Sequence, residues 1–187
     1  ASQQELYDHY CAVAAHVDTP IVLYNIPART GNKLLPETVC RLAKDVEVIK
    51  GAKDSSGDWE NLKAYIQLTK DLDFSVLSGN DSLILPALKE GGVGGIAGCS
   101  NVYPKVLSSI YELFQEGKLD EAQAAQDSIA SFRAVFKYGN PNTVVKTAVA
   151  MLGYNVGKCR APFNQLPQEG LEALEKVLQE NKDKGMC

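Results

Sequence analysis

The chain has 187 residues, with 19 Lys plus Arg against 23 Asp plus Glu, a formal net charge of −4. At 45% apolar and 22% charged residues it has the surface for a real core, which excludes disorder over most of its length. The mild negative charge argues against a nucleic-acid partner, and no apolar run approaches the roughly 18 to 20 residues of a membrane helix.

The polar opening, Ala1-Ser2-Gln3-Gln4-Glu5, is unlike a secretory signal. Ser2 and Glu5 form a capping box, followed by Leu6, Tyr10, Val13 and Ala14 at helical spacing. Pro20 to Tyr24 reads as a short strand. Pro36 is placed as the first residue of a helix carrying Val39, Leu42 and Ala43. Val46 to Ala52 reads as a second strand, and Asp58 as the cap of a helix with Leu62, Tyr65, Ile66 and Leu68. Phe74 to Leu77 is a third strand, ended by Ser78-Gly79-Asn80-Asp81. A short helix with Leu83, Ile84, Leu85, Ala87 and Leu88 follows, then a glycine-rich strand from Gly94 to Gly98, then a helix opened by Pro104. Beyond residue 117 only helical stripes remain: Ala122, Ala125, Ile129, Phe132 and Phe136; Val145, Ala148, Val149 and Leu152; Leu171, Leu174, Val177 and Leu178.

Strands alternating with helices predict an α/β fold with a parallel sheet, and the mostly apolar strands fit burial on both faces. An open dinucleotide-binding sheet needs G-x-G-x-x-G after its first strand. The nearest match, Gly92 to Ala97, instead follows a helix and enters a strand. The alternative is a barrel. Eight βα units usually take about 250 residues. The expectation is therefore the second half of a (β/α)8 TIM barrel over residues 1–117, with a helical segment over 118–187.

Barrel enzymes keep their chemistry at strand C-termini. Two segments lie there: Tyr24-Asn25-Ile26-Pro27-Ala28-Arg29-Thr30-Gly31 and Gly51-Ala52-Lys53-Asp54-Ser55-Ser56-Gly57-Asp58. Strand parity places Ile49, Gly51 and Lys53 on one face, with Gly51 leaving room for a ligand. A lysine directed into a barrel end is partly desolvated, which favours the neutral amine, and a neutral amine can form a Schiff base with a ketone. Tyr24 could relay protons beside it. Arg29, in the loop after Pro27, suits a substrate carboxylate. Ser55 and Ser56 are expected to serve the turn and the next helix cap. Cys11, Cys40, Cys99, Cys159 and Cys187 are scattered without a C-x-x-C pair, and are read as reduced, mostly buried thiols of a cytoplasmic protein. His9 and His16 lack further ligands at metal spacing, so no metal site is expected.

The two segments at this separation, with Ser78-Gly79-Asn80-Asp81 and Gly91 to Asn101 behind them, resemble the dihydrodipicolinate synthase / N-acetylneuraminate lyase family over essentially the whole chain. The resemblance implies a (β/α)8 barrel and a class I aldolase or lyase that needs no cofactor beyond a covalent lysine imine. Lys53 would match the lysine that condenses with pyruvate, and Tyr24 the proton-relay tyrosine. Arg29 would match the arginine that grips the second substrate's carboxylate, which favours the synthase branch. Ile96 and Gly79 would line the pocket, and Asn25 and Thr30 join them as substrate-binding candidates. The implied partners are pyruvate and an aldehyde, foremost aspartate semialdehyde, in a homodimer or homotetramer with no nucleic acid or membrane.

Three features depart from the family pattern. The Gly-Thr-Thr-Gly-Glu segment that holds the pyruvate carboxylate, and the tyrosine lent by a neighbouring subunit, are not among these residues. Asn140 to Lys146 lacks the second proline of the usual Asn-Pro-x-Pro-Val-Lys. Asp54 and Asp58 resemble other 2-oxo-acid aldolases. The rival expectations are a 2-keto-3-deoxy sugar-acid aldolase or N-acetylneuraminate lyase-like enzyme, and an inactive half-barrel. The 187 residues alone are expected to be catalytically incomplete.

Overall fold

A computed structural model describes residues 1–186. The chain divides into two compact units, Ala1–Ile96 and the residues from Ala97 onward.

The first unit begins with helix α1 (Gln3–Ala14), closed by the expected capping box: Ser2 N donates to Glu5 Oε2 at 2.7 Å and Glu5 N to Ser2 Oγ at 3.3 Å. Then come β1 (Ile21–Asn25), α2 (Pro27–Thr30), α3 (Pro36–Asp45), β2 (Ile49–Asp54), α4 (Trp59–Thr69), β3 (Ser75–Ser78), α5 (Ile84–Glu90) and β4 (Gly94–Gly95). The four strands are parallel and pair in sequence order. Parallel neighbours need a crossover between them, and α3, α4 and α5 supply it.

The register sorts side chains into two faces. Leu23, Ala52 and Val76 stand in one row on the covered face, packed with Val39 and Leu42 of α3 and Leu62, Tyr65 and Ile66 of α4. Each such fully buried leucine contributes about 1.5–3 kcal/mol. The next row, Tyr24, Lys53, Leu77 and Gly94, lies on the opposite face. There Val22 and Tyr24 are 48% and 45% exposed, so this face is open.

β1 and β3 each lie one residue later than expected, and the limits of β2 and β4 differ more. Val46 is not in a strand: its N–H still bonds to Leu42 O at 3.0 Å, so α3 uses up the start of the predicted run. The strand runs on instead through the charged pair Lys53-Asp54. The ladder also skips a residue, pairing Ile21 with Ile49 but Val22 with Gly51, so simple parity fails and Ile49 is buried in the core rather than beside Lys53. Gly51 leaves no ligand space either. A Cβ there would meet Ser75 O at 2.6 Å, so its bare Cα admits the neighbouring strand. β4 ends at Gly95, because Gly98–Asn101 turns into a 3-10 helix.

Asp58 caps α4, its Oδ1 accepting from Glu60 N at 3.1 Å and Asn61 N at 3.3 Å, while Oδ2 pairs with Lys33 Nζ at 2.9 Å. The Lys33 ammonium and the cap hydrogen bonds hold this carboxyl below the usual aspartate range. Asp58→Ala is expected to cost about 1 kcal/mol, read from urea midpoints at neutral pH. A group with a depressed folded pKa stabilises above its unfolded pKa and stops doing so as pH falls through the folded one. The gap between variant and wild type should therefore close in acid, and a gap that persists there would disprove the charge assignment.

The second unit is helical: α6 (Pro104–Gln115), α7 (Leu119–Ser128), α8 (Ala130–Ala134), α9 (Pro141–Met151) and α10 (Gln168–Asp183). The stripe from Ala122 to Phe136 is not one helix; it divides into α7, α8 and a 3-10 turn at Val135–Tyr138. Phe132 stacks edge-on against Tyr103 at 5.3 Å and Phe136 at 5.7 Å, and Asn181 Nδ2 donates to the buried Tyr103 hydroxyl at 2.9 Å. The four described cysteines form no disulfide with one another; Cys40 and Cys99 are buried, Cys11 and Cys159 half-buried, and Cys187 lies outside the described residues.

Candidate active site

The open face ends in a cluster at the C-terminal tips of β1, β2 and β3. Tyr24 and Lys53 are register partners, so their side chains leave adjacent strands at the same height. Lys53 Nζ lies over the Tyr24 ring, 4.3 Å from its centroid. No carboxylate pairs with this ammonium among the described residues. Lys50, three residues earlier in the chain, binds Asp73 at 2.7 Å, and that partner holds the Lys50 pKa above the usual lysine range.

The ladder continues past the strand ends, with Ser55 N donating to Asn25 O and Gly79 N to Asp54 O, both at 2.8 Å. This brings Ser55 and Gly79 to the cluster. Ser55 Oγ donates to the Tyr24 hydroxyl across a long 3.5 Å. A Cβ on Gly79 would stand 1.9 Å from Ser55 Oγ and 2.9 Å from Lys53 Cε. Only glycine at position 79 lets both side chains lie where they do. Ser55 is the residue that sequence reasoning missed. Ser55 and Ser56 look alike as turn formers, and only Ser56 fills the expected role, its Oγ accepting from Asp58 N at 3.1 Å.

The remaining candidates are placed differently. Arg29 and Thr30 are not in a loop; they sit on the single-turn helix α2, ended by Gly31 at φ 70°. Arg29 is exposed, with no ion-pair partner among the described residues. The Thr30 hydroxyl is engaged locally, within 3.2 Å of Ile26 O and 3.0 Å of Asn32 O. Ile96 follows β4, its N–H bound to Ser78 O at 2.9 Å and its residue 50% exposed. Asn25 is on the wrong face for a substrate. It is 2% exposed, donates to Asp54 Oδ1 at 2.8 Å and accepts from Leu34 N at 3.0 Å. Asp54 and Asp58 are likewise held by hydrogen bonds of the fold. No group of three or more His, Cys, Asp or Glu with metal-holding geometry occurs among the described residues.

The arrangement offers a primary amine, a phenol beside it and a hydroxyl touching the phenol. Such a set can add to a carbonyl carbon and move protons around the adduct.

The model of the dihydrodipicolinate synthetase family matches residues 1–181. The 4-hydroxy-tetrahydrodipicolinate synthase of Methanospirillum hungatei is 39% identical over 174 residues, covering 92% of this chain and 59% of that protein. That of Syntrophus aciditrophicus is 41% identical over 179 residues, covering 95% of this chain and 60% of its own length. The crystal structure of dihydrodipicolinate synthase from Thermotoga maritima matches 97% of this chain and 62% of that one, with TM-score 0.92 and 30% identity. The 4-hydroxy-tetrahydrodipicolinate synthase of Methylacidiphilum fumariolicum matches with TM-score 0.92 and 34% identity, covering 98% of this chain and 61% of that one. The chain thus spans about three-fifths of the length of these relatives. Its four parallel strands with crossover helices are the expected half of a (β/α)8 barrel.

Proposed function

Because the chain belongs to the dihydrodipicolinate synthetase family, we propose that it carries the imine-forming half of a pyruvate-dependent lyase active site, that of a 4-hydroxy-tetrahydrodipicolinate synthase. The observation that carries this reading is the Lys53 amine, paired with no carboxylate among the described residues and lying over the Tyr24 ring at the open end of the sheet. The amine adds to the C2 carbonyl of pyruvate and water leaves, forming an imine. Loss of a C3 proton gives an enamine, whose C3 attacks the aldehyde carbon of aspartate semialdehyde while Tyr24 hands a proton to the aldehyde oxygen. Arg29, exposed just beyond β1 and without an ion-pair partner among the described residues, binds the carboxylate of this second substrate. Gly79 and Ile96 line the same opening.

On this reading the pyruvate carboxylate is held by residues outside these 187. The protein works as a cytoplasmic homo-oligomer, on small molecules rather than on nucleic acid or membrane. No described helix is long and apolar enough to cross a membrane.

The test is borohydride reduction of the protein in the presence of pyruvate, followed by peptide mass spectrometry. A single reduced pyruvyl group on the peptide containing Lys53 is expected. An adduct confined to other lysines, or none, would refute the assignment.

A further inference from the structure

We propose that Asp54 is a positioning residue of this site, setting the Tyr24–Lys53 pair and the Arg29 segment from the covered side of the sheet; the proposal rests on the function just given. Asp54 is 2% exposed, yet no cation pairs with it among the described residues. Instead four neutral donors converge on it. Oδ1 accepts from Asn25 Nδ2 at 2.8 Å and Ser56 N at 3.1 Å; Oδ2 accepts from Ser56 Oγ at 2.8 Å and Asn61 Nδ2 at 3.3 Å. A carboxylate has about four lone-pair sites, and all are used. Burying an unpaired carboxylate is costly, and saturation by donors is what makes it tolerable.

The donors are distributed in a way that core stability alone would not require. Asn25 and Asp54 are the register pair directly after Tyr24 and Lys53. A bond across the covered face at that step fixes the spacing of the pair on the open face one residue earlier. Asn25 Oδ1 also accepts from Leu34 N, so the same link holds the far end of the segment bearing Arg29. Ser56 and Asn61 tie in the turn carrying Ser55 and the start of α4. One carboxylate thus joins the supports of the amine, the phenol, its hydroxyl contact and the guanidinium. Sites of this kind depend on such backing, because small misplacements of reacting groups cost large factors in rate.

Asn25→Asp tests this with volume kept and the Leu34 acceptor retained. It sets two carboxylates against each other across the 2.8 Å contact. In the folded protein, adduct formation and kcat should both fall about tenfold or more, and the reciprocal pair Asn25→Asp with Asp54→Asn, which removes the repulsion but leaves one amide oxygen for the other donors, should recover part of the loss. Ser56→Ala, which removes one bond of the four, is the milder arm for the case that Asn25→Asp does not fold; adduct formation about threefold slower is expected. A role in stability alone would lower urea midpoints and leave both rates of the folded protein untouched. That result in Ser56→Ala or Asn25→Asp would overturn the proposal while leaving the function standing. Absence of any pyruvate adduct in the unsubstituted protein would remove the function, and this proposal with it.

Discussion

Lys53→Met is expected to abolish the trapped pyruvate adduct and to bring turnover down to that of the uncatalysed mixture. Methionine keeps an unbranched chain of similar length, so the packing beneath Gly79 and beside Tyr24 survives, and only the nucleophile is gone. Folding stability should stay within about 1 kcal/mol of wild type, since the amine has no ion-pair partner to lose among the described residues. Mass spectrometry after reduction and a steady-state assay check the two halves separately. Wild-type turnover in the variant would mean that the imine forms elsewhere or not at all.

Tyr24→Phe should separate imine formation from the later proton transfers. The ring remains, so the ammonium keeps its aromatic neighbour at 4.3 Å, and the adduct still forms. Lost are the phenol oxygen and its contact with Ser55. General acid–base groups are worth roughly 10² to 10⁴ in rate, and kcat should fall within that range. The split matters more than the size. If kcat and adduct formation fell by the same factor, Tyr24 would be acting on the attack of the amine, and the proposed division of labour would be wrong.

Much of this was legible in the sequence wherever a local rule sufficed. Ser2 with Glu5, Pro36, Asp58 and Pro104 each open the helix they were expected to open, because caps and first-turn prolines act over three or four residues. Strand limits were less legible. Val46 is as apolar as any strand residue, but the last turn of α3 claimed it. Lys53 and Asp54 look unsuited to a strand, yet a strand end with one open and one covered polar site accepts both. A single helical turn is too short to show periodicity, so the sequence around Arg29 looks like a loop. The placement of Asn25 and Ser55 was hidden for a different reason. Each owes its role to a partner about 30 residues away, Asp54 for one and Tyr24 for the other, and no spacing pattern records a contact across strands.

The strict sequential order of the sheet has a consequence for how the first unit is made. Each of β2, β3 and β4 pairs with the strand synthesised just before it, across α2 and α3, across α4 and across α5 respectively. Loops that close over such short distances carry modest entropic penalties, and synthesis presents the N-terminal elements first. A chain emerging from the ribosome can therefore add one strand at a time to a growing edge, without waiting for a distant partner. The polar bracket around Asp54 draws all its donors, from Asn25, Ser56 and Asn61, out of the first unit, so it can close before the helical unit exists.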